Sequence, residues 1–121
     1  MREMPKFTKS PPELVDRFNA VVDRVAPDAE RKKMFGYPCA WVGGNMATGL
    51  FADSWWVRLA PERLEEEASS GRGHPFEVMP GRSMKGYVAM REDVIADDAL
   101  VDALVAEAIA YTGTLPPKKK R

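Results

Sequence analysis

The sequence predicts an α+β fold with two layers, in which a five-stranded, mainly antiparallel sheet has helices on one face. Segments with apolar residues at helical spacing alternate with short segments rich in aromatic and β-branched residues. Several of the short segments are joined by only two or three turn residues, so neighbouring strands must run antiparallel. The predicted order of elements is α-β-β-β-α-β-β-α. Helices segregated to one face of such a sheet bury the apolar sides of both layers.

The first helix is predicted to begin in "SPPE", where Ser10 is the expected N-cap and Glu13 completes a capping box. Apolar residues then recur at positions 14, 18, 21, 22 and 25, which is the spacing of one helix face. Pro27 should end the helix, because the residue before a proline is disfavoured in the helical conformation.

Three short segments follow and predict an antiparallel meander of strands at 39–42, 46–52 and 55–59, separated by "GGN" and "DS". Side chains alternate along a strand, so Trp55 and Trp56 must lie on opposite faces of the sheet. One of them faces away from the helices. It must be covered by a loop, a ligand or a second subunit, because large exposed aromatic patches mark contact surfaces.

The second half of the chain predicts a helix from Pro61, strands at 76–79 and 85–90, and a final helix capped by Asp97 or Asp98. The three glutamates at 65–67 diverge around the second helix and are expected to form a solvated face. We therefore divide the chain into an N-terminal extension (1–10), one domain (11–114) and a basic C-terminal tail (115–121).

Composition limits the function further. The chain of 121 residues has 18 basic and 18 acidic residues, but four of the cations are the last four residues. The remainder has 14 basic against 18 acidic residues and lacks the strongly cationic surface of a duplex binder. One cysteine and one histidine are too few for a Cys/His zinc site or an internal disulfide. No complete catalytic or cofactor motif is present, so we expect a non-enzymatic protein without a cofactor.

No apolar run is long enough to span a bilayer, and the N-terminus lacks the apolar core of a secretory signal. The sequence therefore predicts a cytoplasmic protein without membrane contact.

Two stretches, "KKMFGYPCAWVGGNMATGLFADSWWVRLAPE" and "PFEVMPGRSMKGYVAM", resemble the N-terminal domain of the TfoX family. The resemblance extends from about Arg31 to Tyr111. It implies a bacterial protein with a two-layer fold of the secretion-chaperone-like type. Longer family members regulate competence for DNA uptake and carry a second, helical domain. This chain resembles a single-domain member, and the resemblance implies no catalytic residues.

The first functional hypothesis is a regulatory adaptor that acts through protein contacts, with a second copy of itself or another protein as the partner. The candidate contact residues come from the aromatic strand and from "PGRSMKGY": Trp56, Arg58, Arg82, Met84 and Lys85.

The alternative is a nucleic-acid-binding transcription or competence regulator, whose contacts would come from two clusters of cations: Arg31, Lys32, Lys33, Lys118, Lys119, Lys120 and Arg121. A catalytic role for Cys39 would need a base such as His74. A lone strand cysteine is more often a buried apolar residue, and that interpretation is preferred.

Overall fold

The computed structural model describes residues 10–34, 36–71, 73–79 and 82–116. Its helices are α1 (Pro12–Val25), α2 (Pro61–Ser70), α3 (Glu92–Ile95) and α4 (Asp98–Gly113). Its strands are β1 (Glu30–Arg31), β2 (Cys39–Val42), β3 (Asn45–Phe51), β4 (Ser54–Arg58), β5 (Gly73–Met79) and β6 (Arg82–Met90).

The strands form one antiparallel sheet in the order β1-β2-β3-β4-β6-β5. The prediction of an α+β fold with an antiparallel sheet is confirmed, but the count of five strands is wrong, since the described sheet has six. The additional strand is β1, which pairs Glu30 with Trp41 and Arg31 with Ala40. Both of its residues are exposed, so this short strand has no alternation of apolar and polar residues by which a sequence pattern could reveal it.

All four described helices lie on the same face of the sheet, which we call the first face. Each helix contributes side chains to one large apolar core, which also contains Trp55, Val57 and Val88 of the sheet. The buried helix residues of this core are Phe18, Val21 and Val22 of α1, Val94 and Ile95 of α3, and Val101, Leu104, Val105 and Ala108 of α4. α2 adds the partly buried Leu64.

Trp56 points to the opposite face, which we call the second face, and belongs to a smaller cluster with Cys39 and Ala89. The predicted separation of the two tryptophans is therefore confirmed, and Trp56 is the one that faces away from the helices.

The helix ends follow the prediction in part. α1 ends at Val25, just before Ala26 and Pro27, as predicted. Its N-cap is Pro11 rather than Ser10, and no side chain among the described residues caps it. The Ser10 hydroxyl instead donates a hydrogen bond to the carbonyl of Ala52 at 2.7 Å. A contact 42 residues away in the chain thus replaces the local cap that the pattern predicts.

The start of α4 is capped as expected. The Asp97 carboxylate accepts hydrogen bonds from the backbone N–H groups of Ala99 at 3.0 Å and Leu100 at 3.2 Å. Of the two candidates, Asp97 is therefore the cap, which satisfies two of the unpaired donors at the helix start.

The expectation of a solvated glutamate face on α2 is wrong for one residue. Glu65 and Glu66 are exposed, but Glu67 is only 1% exposed and accepts a hydrogen bond from Arg63 at 3.0 Å. The same guanidinium bonds Glu107 of α4 at 2.6 Å. The Glu67 carboxylate can be buried because Arg63, one turn earlier on the same helix, compensates its charge.

None of the helices among the described residues combines the length and the apolar character needed to cross a bilayer.

Candidate functional site

The second face is organised around one row of residues that crosses five strands. The pairing places Cys39 opposite Gly49, Gly49 opposite Trp56, Trp56 opposite Ala89, and Ala89 opposite His74. Paired residues in an antiparallel sheet point to the same side, so this row defines the second face.

Trp56 lies at the centre of the row and is 1% exposed. Its indole covers Gly49, where an added Cβ would lie only 2.6 Å from Cζ2 of the ring. Tyr87 packs against it edge to face, with ring centroids 5.1 Å apart. Trp56 therefore lies at the centre of the packing on the second face. The part of this face that solvent can reach is formed by the residues around Trp56.

Those surrounding residues are partly buried and mostly apolar. The residues that pack against the Trp56 cluster are Met34, Trp41, Met46, Phe51 and Tyr87. They come from β2, β3, β6 and the loop before β2. Among the described parts of the chain, this cluster contains residues of strands and loops but none of a helix. A partly exposed apolar patch of this kind is typical of a contact surface. We call this set, together with Arg58, the aromatic face.

Arg58 lies at one end of the aromatic face, opposite Tyr87 on β6. Its guanidinium is 5.3 Å from the centroid of the Tyr87 ring, and Nη1 donates a hydrogen bond of 3.3 Å to the Tyr87 hydroxyl. Burial raises the pKa of Tyr87, although the nearby positive charge of Arg58 opposes the shift. The tyrosine hydroxyl therefore stays neutral, and the pair presents a cation stacked on an aromatic ring.

The other candidate contact residues, Arg82, Met84 and Lys85, lie on the part of β6 that extends past β4. Only β5 pairs with the described backbone there, with Ser83 opposite Glu77 and Arg82 opposite Met79. Their side chains lie outside the described part of the chain, as do Pro80 and Gly81 of the predicted turn. The hairpin that carries these residues thus continues from the Arg58 end of the aromatic face.

The first cluster of candidate nucleic-acid contacts lies at the β1 edge of the sheet. Arg31 forms an ion pair with Asp23 at 2.6 Å, and Lys32 forms one with Glu30 at 3.5 Å. Acidic neighbours therefore compensate two of the three cations. The second cluster, Lys118, Lys119, Lys120 and Arg121, lies outside the described residues.

Cys39 and His74 occupy the two ends of the row on the second face. Four inter-strand steps of about 4.8 Å separate them, a distance of roughly 19 Å. Cys39 is 2% exposed, and burial raises the pKa of its thiol to about 12. The structure does not bring the two together as a nucleophile and its base.

Sequence reasoning missed Trp41, Met46 and Tyr87 as part of the site. Each lies on a predicted strand, and the face that each occupies follows from strand register. The register between β2 and β3 shifts between Ala40 and Trp41. Simple alternation from Gly49 therefore places Met46 on the wrong face, whereas Trp41 and Tyr87 do follow alternation from Cys39 and Ala89.

These features define a class of protein: an α+β domain with a single helical layer, whose second sheet face presents an aromatic contact surface. The sequence profile of the TfoX N-terminal domain matches residues 21–111, which is most of the chain. The chain therefore belongs to the TfoX N-terminal domain family, as its sequence motifs indicate.

Comparison with curated proteins found no match to the chain, and comparison with solved structures found none either. The secretion-chaperone-like type of fold that the family resemblance implies thus stays a prediction.

Proposed function

We propose that this domain acts without catalysis, by binding another protein chain through its aromatic face. The observation that supports this proposal is the placement of Trp41, Met46 and Tyr87, all partly exposed, around the buried Trp56. Aromatic residues, methionine and arginine are the types enriched at protein interfaces, and all of these types occur on this one face.

The partner that we favour is a second copy of the chain. Two-fold symmetric dimers are the commonest oligomers, and their interface uses the same patch on both subunits. In such a dimer the aromatic face of each copy is covered by the aromatic face of the other. A regulatory adaptor role is the finer form of this proposal. In that form the dimer, or a complex with another protein, is the regulating unit.

Light scattering coupled to gel filtration tests the proposal. The wild-type chain of 13.5 kDa should elute with twice that mass at high concentration. Met46→Glu places a charge on the aromatic face and should give the monomer mass, because an unpaired charge cannot be buried in an apolar contact. Ala103→Glu, which adds the same charge at an exposed position of α4, is the matched control and should leave the dimer intact.

A strictly monomeric wild type at the highest attainable concentration would contradict the dimer. Equal masses for the two variants would show that the aromatic face is not the interface. Circular dichroism of both variants confirms that the domain is folded before the masses are compared.

The second candidate function is binding of nucleic acid by the cations at the β1 edge and in the tail. One observation favours it: Arg31, Lys32 and Lys33 all line a single cleft. Fluorescence anisotropy with a labelled duplex at several salt concentrations tests it, because affinity from phosphate contacts falls steeply as salt rises. Absence of binding at low salt would eliminate this function without affecting the dimer.

A further inference from the structure

A cleft of about 310 Å³ opens between α1 and the β1 edge of the sheet, away from the centre of the aromatic face. Its volume lies at the lower end of the range for small-molecule sites. The residues that line it are Val15, Phe18 and Asn19 of α1, Arg31, Lys32 and Lys33 at β1, and Pro38 and Cys39 at β2.

The floor of the cleft is apolar. Val15 and Pro38 are partly exposed and form the apolar surface that a ligand can reach, and the fully buried Phe18 lies beneath it. The floor can therefore hold an apolar group.

The rim of the cleft is cationic, with an excess of one charge. Asp23 compensates Arg31, and Glu30 compensates Lys32, which also lies 5.5 Å from the centroid of the Trp41 ring. Lys33 is exposed and has no ion pair with another described residue. Three cations and two carboxylates thus leave a formal charge of about +1 beside the apolar floor.

Asn19 adds a neutral donor to the same rim. Its Oδ1 accepts a hydrogen bond from Nη1 of Arg31 at 3.3 Å. This contact fixes the amide with Nδ2 as the remaining donor. Arg31 uses Nη1 and Nη2 in its contacts with Asn19 and Asp23, and its Nε–H remains as a further donor. Fixed donors beside a single excess cation suit one carboxylate group.

We propose that this cleft binds a small amphipathic monocarboxylate, with the carboxylate at Lys33 and Asn19 and the apolar body against Val15 and Pro38. The two halves of the site are complementary to the two halves of such a molecule. Inorganic phosphate has no part that would use the floor, and a neutral alcohol has no charge for the rim. Lys32 of the rim also contacts Trp41 of the aromatic face, but Lys33 and Asn19, which would hold the carboxylate, are not part of that face. Either proposal can therefore fail without the other.

Titration of the ¹⁵N-labelled full chain with octanoate, followed by amide chemical shifts, tests the proposal. Saturable shifts should be centred on Asn19, Lys33 and the neighbouring backbone. Lys33→Gln should weaken octanoate binding about threefold to fivefold, the effect of removing one partly solvated charge pair. Val15→Phe fills the cleft and should weaken it further, while Arg91→Gln, at an exposed arginine outside the cleft, should have no effect.

Octanol and inorganic phosphate are the comparison ligands, and both should bind more weakly than octanoate. Octanol binding as tight as octanoate would overturn the role of the cationic rim. Phosphate binding as tight as octanoate would overturn the role of the apolar floor. Shifts centred elsewhere, the absence of saturable shifts, or equal affinities for wild type and Lys33→Gln would overturn the site itself.

Discussion

Gly49 determines how Trp56 can lie on the second face. A Cβ at this position would meet Cζ2 of Trp56 at 2.6 Å and the carbonyl oxygen of Pro38 at 3.0 Å. Neither contact is sterically possible without movement of the indole or of the backbone, and the indole is fully enclosed. The packing of Trp56 on the aromatic face therefore requires that residue 49 has no Cβ.

We expect Gly49→Ala to lower the free energy of unfolding by about 1–3 kcal/mol, the usual cost of inserting a methyl group into a packed site. Gly113→Ala is the matched control, because a Cβ there would lie 3.7 Å from Val42, an ordinary van der Waals contact, and alanine favours the helix. Urea denaturation of both variants measures the difference. Equal stabilities would show that Trp56 can move aside.

Particular residues also show how far the sequence predicts the site. The opposite orientation of Trp55 and Trp56 follows from alternation alone, and it is confirmed. The inward turn of Glu67 could not be predicted, because its burial depends on Arg63 and on Glu107, which is 40 positions later in the sequence. A pattern that treats each helix separately classes every glutamate as solvated.

At the scale of the elements, the sequence predicts strands and helices whose periodicity is long enough to be visible. β2 spans 39–42, and α1 ends at Val25, as predicted. β1 has two residues and α3 has four, which is too short for a period of two or 3.6 to be recognised. Both elements are stabilised by what they contact: β1 pairs with β2, and α3 buries Val94 and Ile95 in the core of the first face.

Arg63 connects two elements, because its guanidinium bonds Glu67 of its own helix and Glu107 of α4. Arg63→Leu removes a cation beside a carboxylate that is 1% exposed. We expect the free energy of unfolding to fall by about 2–4 kcal/mol, near the cost of breaking a buried ion pair.

Arg24→Leu is the control for this prediction. Arg24 forms a bidentate pair with Asp102, also between two helices, but Asp102 is 30% exposed, whereas Glu67 is 1% exposed. Its removal should change stability little. The double variant Arg63→Leu/Glu67→Leu should recover much of the lost stability, because it leaves no unpaired carboxylate at position 67. Thermal denaturation measures these stabilities. Equal effects of Arg63→Leu and Arg24→Leu would contradict the role of burial.

At the scale of the whole molecule, the fold is asymmetric. The first face has the four described helices and a large core, whereas the second face has a cluster built from strand and loop residues. Dimerisation through the aromatic face would place a protein layer on both sides of the sheet. The stability of the domain would then depend on association.

This dependence predicts that the thermal midpoint rises with protein concentration, because a dimer that unfolds to two chains is stabilised by mass action. Over the range in which the dimer is populated, we expect the thermal midpoint to rise by about 3–5 °C for each tenfold increase in protein concentration. Calorimetry of the wild type and of Met46→Glu measures it. The variant should show a midpoint that does not change with concentration, whereas Ala103→Glu should behave like the wild type. A wild-type midpoint that is independent of concentration would mean that the aromatic face contributes nothing to folding through a second copy of the chain.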